Sequence, residues 1–550
     1  MAKLLSVILI ALLFLPVLAL AQAPDTVTVP NDFQVGTINT VIQGDTLANG
    51  NRTNPNRVYL LLRGGYYALN GPLVTKAGTH IRLEGQPAPK SGTDAGMAVL
   101  VEGTVAGLYY SHIIDDYGDL SLKNIWLLYI TDTGAQNWTD LALENSNTTG
   151  YFENCIFDWA TGICVMAYGQ NINMIFRNCV FRNCIDPGQW WAGRQMATVS
   201  SAATLDTVIS TNCTFENMGF TFQTDYTPPL YVYYNHNTFL NIAKFAFKFY
   251  YMTHLIAINN VFMNCHFTGE RKADRVGQDP DLLLYGAVLD IDTIPTGTVY
   301  NGVAELDRVV NFSNNSNFTQ AEFQTFYDNY NKVDSVKASH LYIFAEPMMN
   351  DRTLDMFNWH PKFTMANNYD GEDPGFTKAA TNLDSIMTFL TDRYLQGGSC
   401  FWGYNPDIYG TWPLKEDLTY SNTTLLAGGS DGLPLGDLFH WYPAKYTQWL
   451  GLSSVKQTSA SVPQVMRLDQ NYPNPFNPET KISYAVPKAA KVTLKVYNLL
   501  GQEVATLFDG AQTAGSYIAT FNGANLASGA YLYTLTIGDQ TMSKKMLMLK

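Results

Sequence analysis

One feature constrains this chain more than any other: a phenylalanine that keeps returning in the same setting. The segments NCIFDWA (154–160), NCVFRNC (178–184), NCTFENM (212–218), HNTFLNI (236–242) and NNVFMNC (259–265) align on Phe157, Phe181, Phe215, Phe239 and Phe262. Those anchors stand 24, 34, 24 and 23 residues apart, a period in the low twenties with one insertion. A unit of that length cannot bury its apolar face alone, so units stack into a solenoid. The 3.6-residue periodicity of helical repeats is missing, and alternation within the motif is strand-like. Residues two before each Phe therefore share its face. Cys155, Cys179 and Cys213 fall into one interior column, continued by Asn237 and Asn260. Asn183, Asn217, Asn241 and Asn264 form a second column where the chain must bend, and asparagine tolerates the left-handed backbone that a bend requires.

The columns also account for the cysteines. There are seven (Cys155, Cys164, Cys179, Cys184, Cys213, Cys265 and Cys400), so at least one thiol is unpaired within the chain. No C-x-x-C pair occurs, which removes the usual thiolate spacing of a zinc site. Most are expected as buried rung residues, compatible with disulfides but not in need of them.

This pattern resembles the right-handed parallel β-helix of the pectin-lyase-like superfamily, from about Val58 to Phe318. The first coils are expected in RVYLLLRGGYYALNGPLVTKAGTHIRLEGQ (57–86), an early coil in LSLKNIWLLYI (120–130) and a late one in VVNFSNNSNF (309–318). The resemblance implies a fold more firmly than an activity.

The two ends carry targeting information. MAKLLSVILIALLFLPVLALAQA has a basic Lys3, an apolar run and an A-x-A site before Gln22, and is expected to be a signal peptide over 1–21. No other apolar run is long enough to span a bilayer, so no transmembrane segment is expected in the mature chain. From Arg467 the sequence reads as short alternating strands punctuated by glycine, an immunoglobulin-like β-sandwich. Its motifs are Asn471-Tyr-Pro-Asn-Pro-Phe-Asn-Pro478, Val496-Tyr-Asn-Leu-Leu-Gly-Gln-Glu-Val504, Ala527-Ser-Gly-Ala-Tyr-Leu-Tyr533 and a basic, apolar terminus from Lys544. These resemble the type A C-terminal sorting domain of the type IX secretion system. That resemblance implies recognition of residues 467–550 by the secretion machinery and passage across the outer membrane to the cell surface or beyond. KQTSASVPQVM (456–466) reads as the polar linker before it. Residues 321–455 lose the repeat and are expected to form an irregular capping region with one helix near 381–398. Trp402, Trp412, Trp441 and Trp449 lie in that region, in Pro- and Gly-rich sequence, either as part of the cap or as a sugar-stacking platform. The fold expected overall is all-β.

Charge excludes one class of partner. The chain carries a formal −13, and residues 467–550 hold 8 Lys and Arg against 5 Asp and Glu, so the negative charge lies in the solenoid and its cap. An acidic surface of this kind disfavours nucleic acid.

Chemistry is sought on the outward face of the coils. In AKFAFKFYY (243–251), alternation points Phe245, Phe247 and Phe249 inward and leaves Lys244, Lys248 and Tyr250 outside. Asp225 projects from the preceding coil, Asp290 and Asp292 from a later strand (287–294), and Arg271 and Lys272 from the charged insertion 269–275. Amines beside carboxylates are what β-helix polysaccharide lyases use, often with calcium, for which Asp oxygens are suitable ligands. Asp225 with Asp290 or Asp292 would instead serve a glycosidase as its two carboxyls. Gly428-Gly-Ser-Asp-Gly432 fits G-x-S-x-G but is followed by Leu-Pro-Leu-Gly, so a turn is expected. His236 stands where its neighbours have Asn, as a hydrogen-bonded member of that column, and Asp370-Gly-Glu-Asp373 is read as an exposed acidic turn. Two functions fit: binding, with or without cleavage, of an extracellular polysaccharide, or a non-catalytic adhesin or matrix protein that uses the solenoid as a rigid display.

Overall fold

Parallel strands stack coil upon coil into three long faces. In the computed structural model the first face is an 11-stranded sheet running from Thr26–Thr28 to Phe363–Thr364, and the second a 10-stranded sheet from Tyr66–Leu69 to Tyr369–Asp370. The third face has five strands from Leu73–Val74 to Arg194–Thr198, followed by three more at Phe222–Gln223, Phe247–Phe249 and Leu289–Ile291. All of these pairings are parallel, and the chain is a parallel β-helix. The structure describes residues 25–549 apart from short stretches, the longest being 104–109, 135–139, 186–192, 224–228, 272–286, 334–341, 344–347 and 393–411. The expected signal peptide lies outside the described residues.

The phenylalanine anchors pair in register, each opposite the next. Phe157, Phe181, Phe215, Phe239 and Phe262 stack face to face at 4.5, 5.0, 4.7 and 4.5 Å between ring centroids. Aromatic pairs of this kind add about 0.5–1.5 kcal/mol each beyond the area they bury. In the neighbouring column the Cys213 amide donates to Asn237 Oδ1 at 3.0 Å. Asn237 Nδ2 donates to Asn260 at 3.0 Å, and Asn260 Nδ2 donates to Asn315 at 2.9 Å. Buried polar groups survive in an apolar core only when paired, and this ladder pairs each with the next.

The bends are built from left-handed asparagines. Asn154, Asn178, Asn212 and Asn259 turn the chain from the first sheet to the second, all with φ between 51° and 60°. Asn183, Asn217, Asn241 and Asn264 turn it out of the second with φ of 54–57°, and their amides form a further ladder at 3.4, 3.1 and 3.0 Å. The six described cysteines are buried free thiols; the sulfurs of Cys164 and Cys184 lie 3.6 Å apart.

Helices close the ends of the core. Ile38 and Ile42 of the helix Thr37–Gly44 enter it at one end, Met356 of Asp351–Trp359 at the other. The helix expected near 381–398 lies at Leu383–Thr391, and other helices in 321–455 occur at Ala321–Val333, Asp351–Trp359 and Pro443–Leu452. The faces of these others carry too few regularly spaced apolar residues to stand out: Ala321–Val333 buries only Phe323 and Tyr327. The returning segment 412–441 does more than cap. It runs back along the outside of the second sheet, with Trp412 and Leu414 against Trp126, Leu418 against Leu240, and Leu425 and Leu435 against Val261. Arg182 pins it by donating to Glu416 at 2.7 Å while pairing with Asp158.

The C-terminal domain is a β-sandwich of two four-stranded antiparallel sheets with a core of its own. Val455–Ser459, at the start of the stretch that composition marks as a linker, pairs antiparallel with Gly515–Asn522 as an edge strand.

Candidate functional site

The returning segment hides the second sheet, and on the first sheet the outward Ile175 and Ile209 are already buried. On the third sheet, His112 and Asp115 keep 19% and 20% of their side-chain surface exposed.

Sequence-predicted residues fall on this sheet in part. Lys248 and Asp290 are register partners on neighbouring strands. Asp290 and Asp292 both pair with Arg352, and Asn350 donates to Asp290 at 2.8 Å. Their charge is thereby taken up by a guanidinium, which leaves a poor oxygen cage for calcium. Lys248 lies with Nζ 4.6 Å from the Phe245 ring centroid. Phe245 is outside the core cluster that holds Phe247 and Phe249, because residues 243–246 make the turn before the strand and alternation starts after it. Lys244 sits in that turn and is buried, not displayed. Asp225, Tyr250 and Lys272 lie outside the described residues. Arg271 belongs to a two-residue strand that pairs with Tyr342–Ile343.

The tryptophans and the G-x-S-x-G match have structural uses. Trp412 donates to Asp94 and stacks on Arg63; Trp441 donates to Thr214. Trp402 lies outside the described residues. Residues 428–432 form a turn, whose Ser430 amide donates to Asn259 and whose Asp431 meets His236 Nε2 at 2.8 Å. In Asp370-Gly-Glu-Asp373, Asp370 accepts from Asn317 and Glu372 from Asn422.

A denser constellation lies nearer the N-terminal end, in residues the sequence reading passed over. His112 and Asp115 come from the strand His112–Asp116, Asp140 from Asp140–Leu143, and Glu144 follows it directly. The register slips by one residue between these strands, since Asp140 faces His112 while Leu141 faces Ile114. That slip places Ile113 and Ile114 both in the core and turns His112 and Asp115 outward together. It is also why strict alternation missed them. The available signal was two acidic strands in succession, HIIDD and DLALE.

His112 Nδ1 meets Asp140 Oδ1 at 2.5 Å, and the ring stands edge-on to Tyr168 at 5.6 Å. Its Nε2 lies 3.9 Å from Asp115 Oδ1. Ligand atoms of His112, Asp115 and Glu144 all fall within 4.8 Å of one another. The hydrogen bond that Asp140 accepts from His112 holds the imidazole pKa above its ordinary value, as charge stabilisation requires. Burial pushes the Asp115, Asp140 and Glu144 carboxyls up, and for Glu144 the Asp115 charge adds to it. Burial likewise raises the Tyr168 phenol, to about 12. Raised carboxyls beside an imidazole are the usual material of proton-transfer sites.

Residues 470–549 match the family described as the secretion system C-terminal sorting domain. No curated protein and no solved structure matches the chain. Among the described residues, no helix is long and apolar enough to cross a membrane. The C-terminal sandwich is therefore a type IX secretion sorting domain, and it directs this β-helix protein to the cell surface or the extracellular space.

Proposed function

We propose that this exported β-helix protein binds an extracellular polysaccharide along the outward face of its third sheet, with His112, Asp115, Asp140 and Glu144 as the polar centre. The observation that carries this reading is the carboxylate and imidazole cluster on the outward side of the third sheet, where His112 and Asp115 stay partly open to solvent. Carboxylates accept hydrogen bonds from sugar hydroxyls, and Tyr117 and Tyr168 flank them with aromatic surface. Three carboxylates repel a uronate, so the polymer is neutral or amine-bearing. If the chain also cleaves, a carboxyl of raised pKa is a suitable proton donor to a glycosidic oxygen, and the products are saturated.

The test uses the full secreted protein, run through gels containing neutral, amine-bearing or acidic polysaccharides. Retardation by a neutral or amine-bearing polymer, at least tenfold weaker in Asp140→Asn and Glu144→Gln, is the expected result. Preference for an acidic polymer, or unchanged binding by both variants, overturns the reading. Mass spectrometry of the same mixtures reads cleavage separately.

A further inference from the structure

We infer that His112, Asp115 and Glu144 form a binding site for a divalent transition metal ion of the zinc class, with Asp140 orienting the imidazole. The inference does not depend on which polymer the protein meets.

Three observations converge on it. The first is donor chemistry. One imidazole and two carboxylates from adjacent coils bring ligand atoms within 4.8 Å of one another. Ligands of a tetrahedral zinc ion stand about 3.3 Å apart, so side-chain rotation alone closes the set. The second is the back of the imidazole. Asp140, 4% exposed, holds Nδ1 and leaves Nε2 facing Asp115. A carboxylate behind a histidine fixes the tautomer and raises the basicity of the ligating nitrogen, the arrangement found behind most metal-bound histidines. The third is an orphan. Asp115 Oδ1 is shut off from solvent and has no hydrogen-bond partner, although it points to within 3.9 Å of that nitrogen. A buried carboxylate oxygen without a donor is costly unless something else satisfies it.

The imidazole decides the class of ion. Calcium and magnesium take oxygen cages, whereas nitrogen with two carboxylates suits zinc and its first-row neighbours. Three protein ligands leave a fourth position for water or a sugar hydroxyl. Three carboxylates against one divalent ion also leave the face no more than neutral, so the expected polymer is the same with the ion as without it.

The experiment reads metal content, with no polysaccharide present. Full secreted protein is stripped with chelator, dialysed against zinc or calcium, and analysed by plasma mass spectrometry, with circular dichroism as the check on folding. We expect about one zinc ion per chain, at least a tenfold loss of affinity in Asp115→Asn and in Glu144→Gln, and about a 10–100-fold loss in Asp140→Asn. Asp373→Asn, in the exposed turn, should retain zinc as the wild type does. Glu144 follows its strand and is half-buried, so Glu144→Gln keeps the test valid should the variants within the strands fold poorly. No zinc on the wild type, retention unchanged in Glu144→Gln, or calcium taken in place of zinc each overturns the inference.

Discussion

At the scale of single residues, the interior is a set of columns in which each side chain has a like neighbour above and below. Phe215 is the clearest case, fully buried and stacked on both sides at 5.0 and 4.7 Å. Phe215→Ala should cost about 3–5 kcal/mol, read as a shift in denaturant midpoint, since the gap it leaves is walled by rigid rings. His80 offers a different test. Its Nε2 has no partner, and burial lowers its pKa from 6.5 to about 4. The folded chain therefore resists taking up that proton. The stability His80 supports is complete above about pH 6.5 and drains as the pH falls toward 4. His80→Gln should flatten the fall in melting temperature over that window; an unchanged slope would show that His80 does not titrate there. At this scale the sequence was most legible. The phenylalanine and cysteine columns follow from spacing alone, whereas His112 and Asp115 were hidden because a one-residue slip in register breaks the alternation used to assign faces.

At the scale of elements, the bends do the work that turns do elsewhere. Asn183, Asn217, Asn241 and Asn264 each meet two demands at once, a positive φ and an amide that reaches the neighbouring coil. Asn217 has φ 56° and accepts from Asn241. Asn217→Gly keeps the first and loses the second, while Asn217→Val loses both. Chemical denaturation should therefore rank wild type above Gly and Gly above Val, with Val worse by about 1–2 kcal/mol for the left-handed strain. The returning segment is held differently, by charge. Glu416→Ala leaves the buried Arg182 short of a partner and should cost about 3 kcal/mol by the same measurement. The asparagine bends could be read from the sequence because they recur. This segment could not, since its contacts with the second sheet join residues far apart in the chain, 234 positions in the case of Arg182 and Glu416.

Among the described residues of the whole molecule, the core inside the coils and the core inside the sorting domain have none in common. Cooperativity follows the cores, so calorimetry should show two transitions, the smaller of which disappears when residues 467–550 are removed. The same deletion should leave the protein on the near side of the outer membrane, as cell fractionation would show. Within the sorting domain the asparagine-proline motif grips the last strand: Asn474 accepts from the Leu547 amide, and the Phe476 amide donates to the Leu547 carbonyl. The motif and the final strand thus hold one another in place.

The stacking has a consequence for reach. Adjacent strands in a sheet are about 4.8 Å apart, so the ten steps of the 11-stranded face make a rod of about 48 Å. Because the bends into and out of the second sheet recur on asparagine, with His236 standing in once, a coil of about two dozen residues is a module that could be added or removed whole. Such a protein measures distance in coils, each one lengthening its faces by one strand spacing.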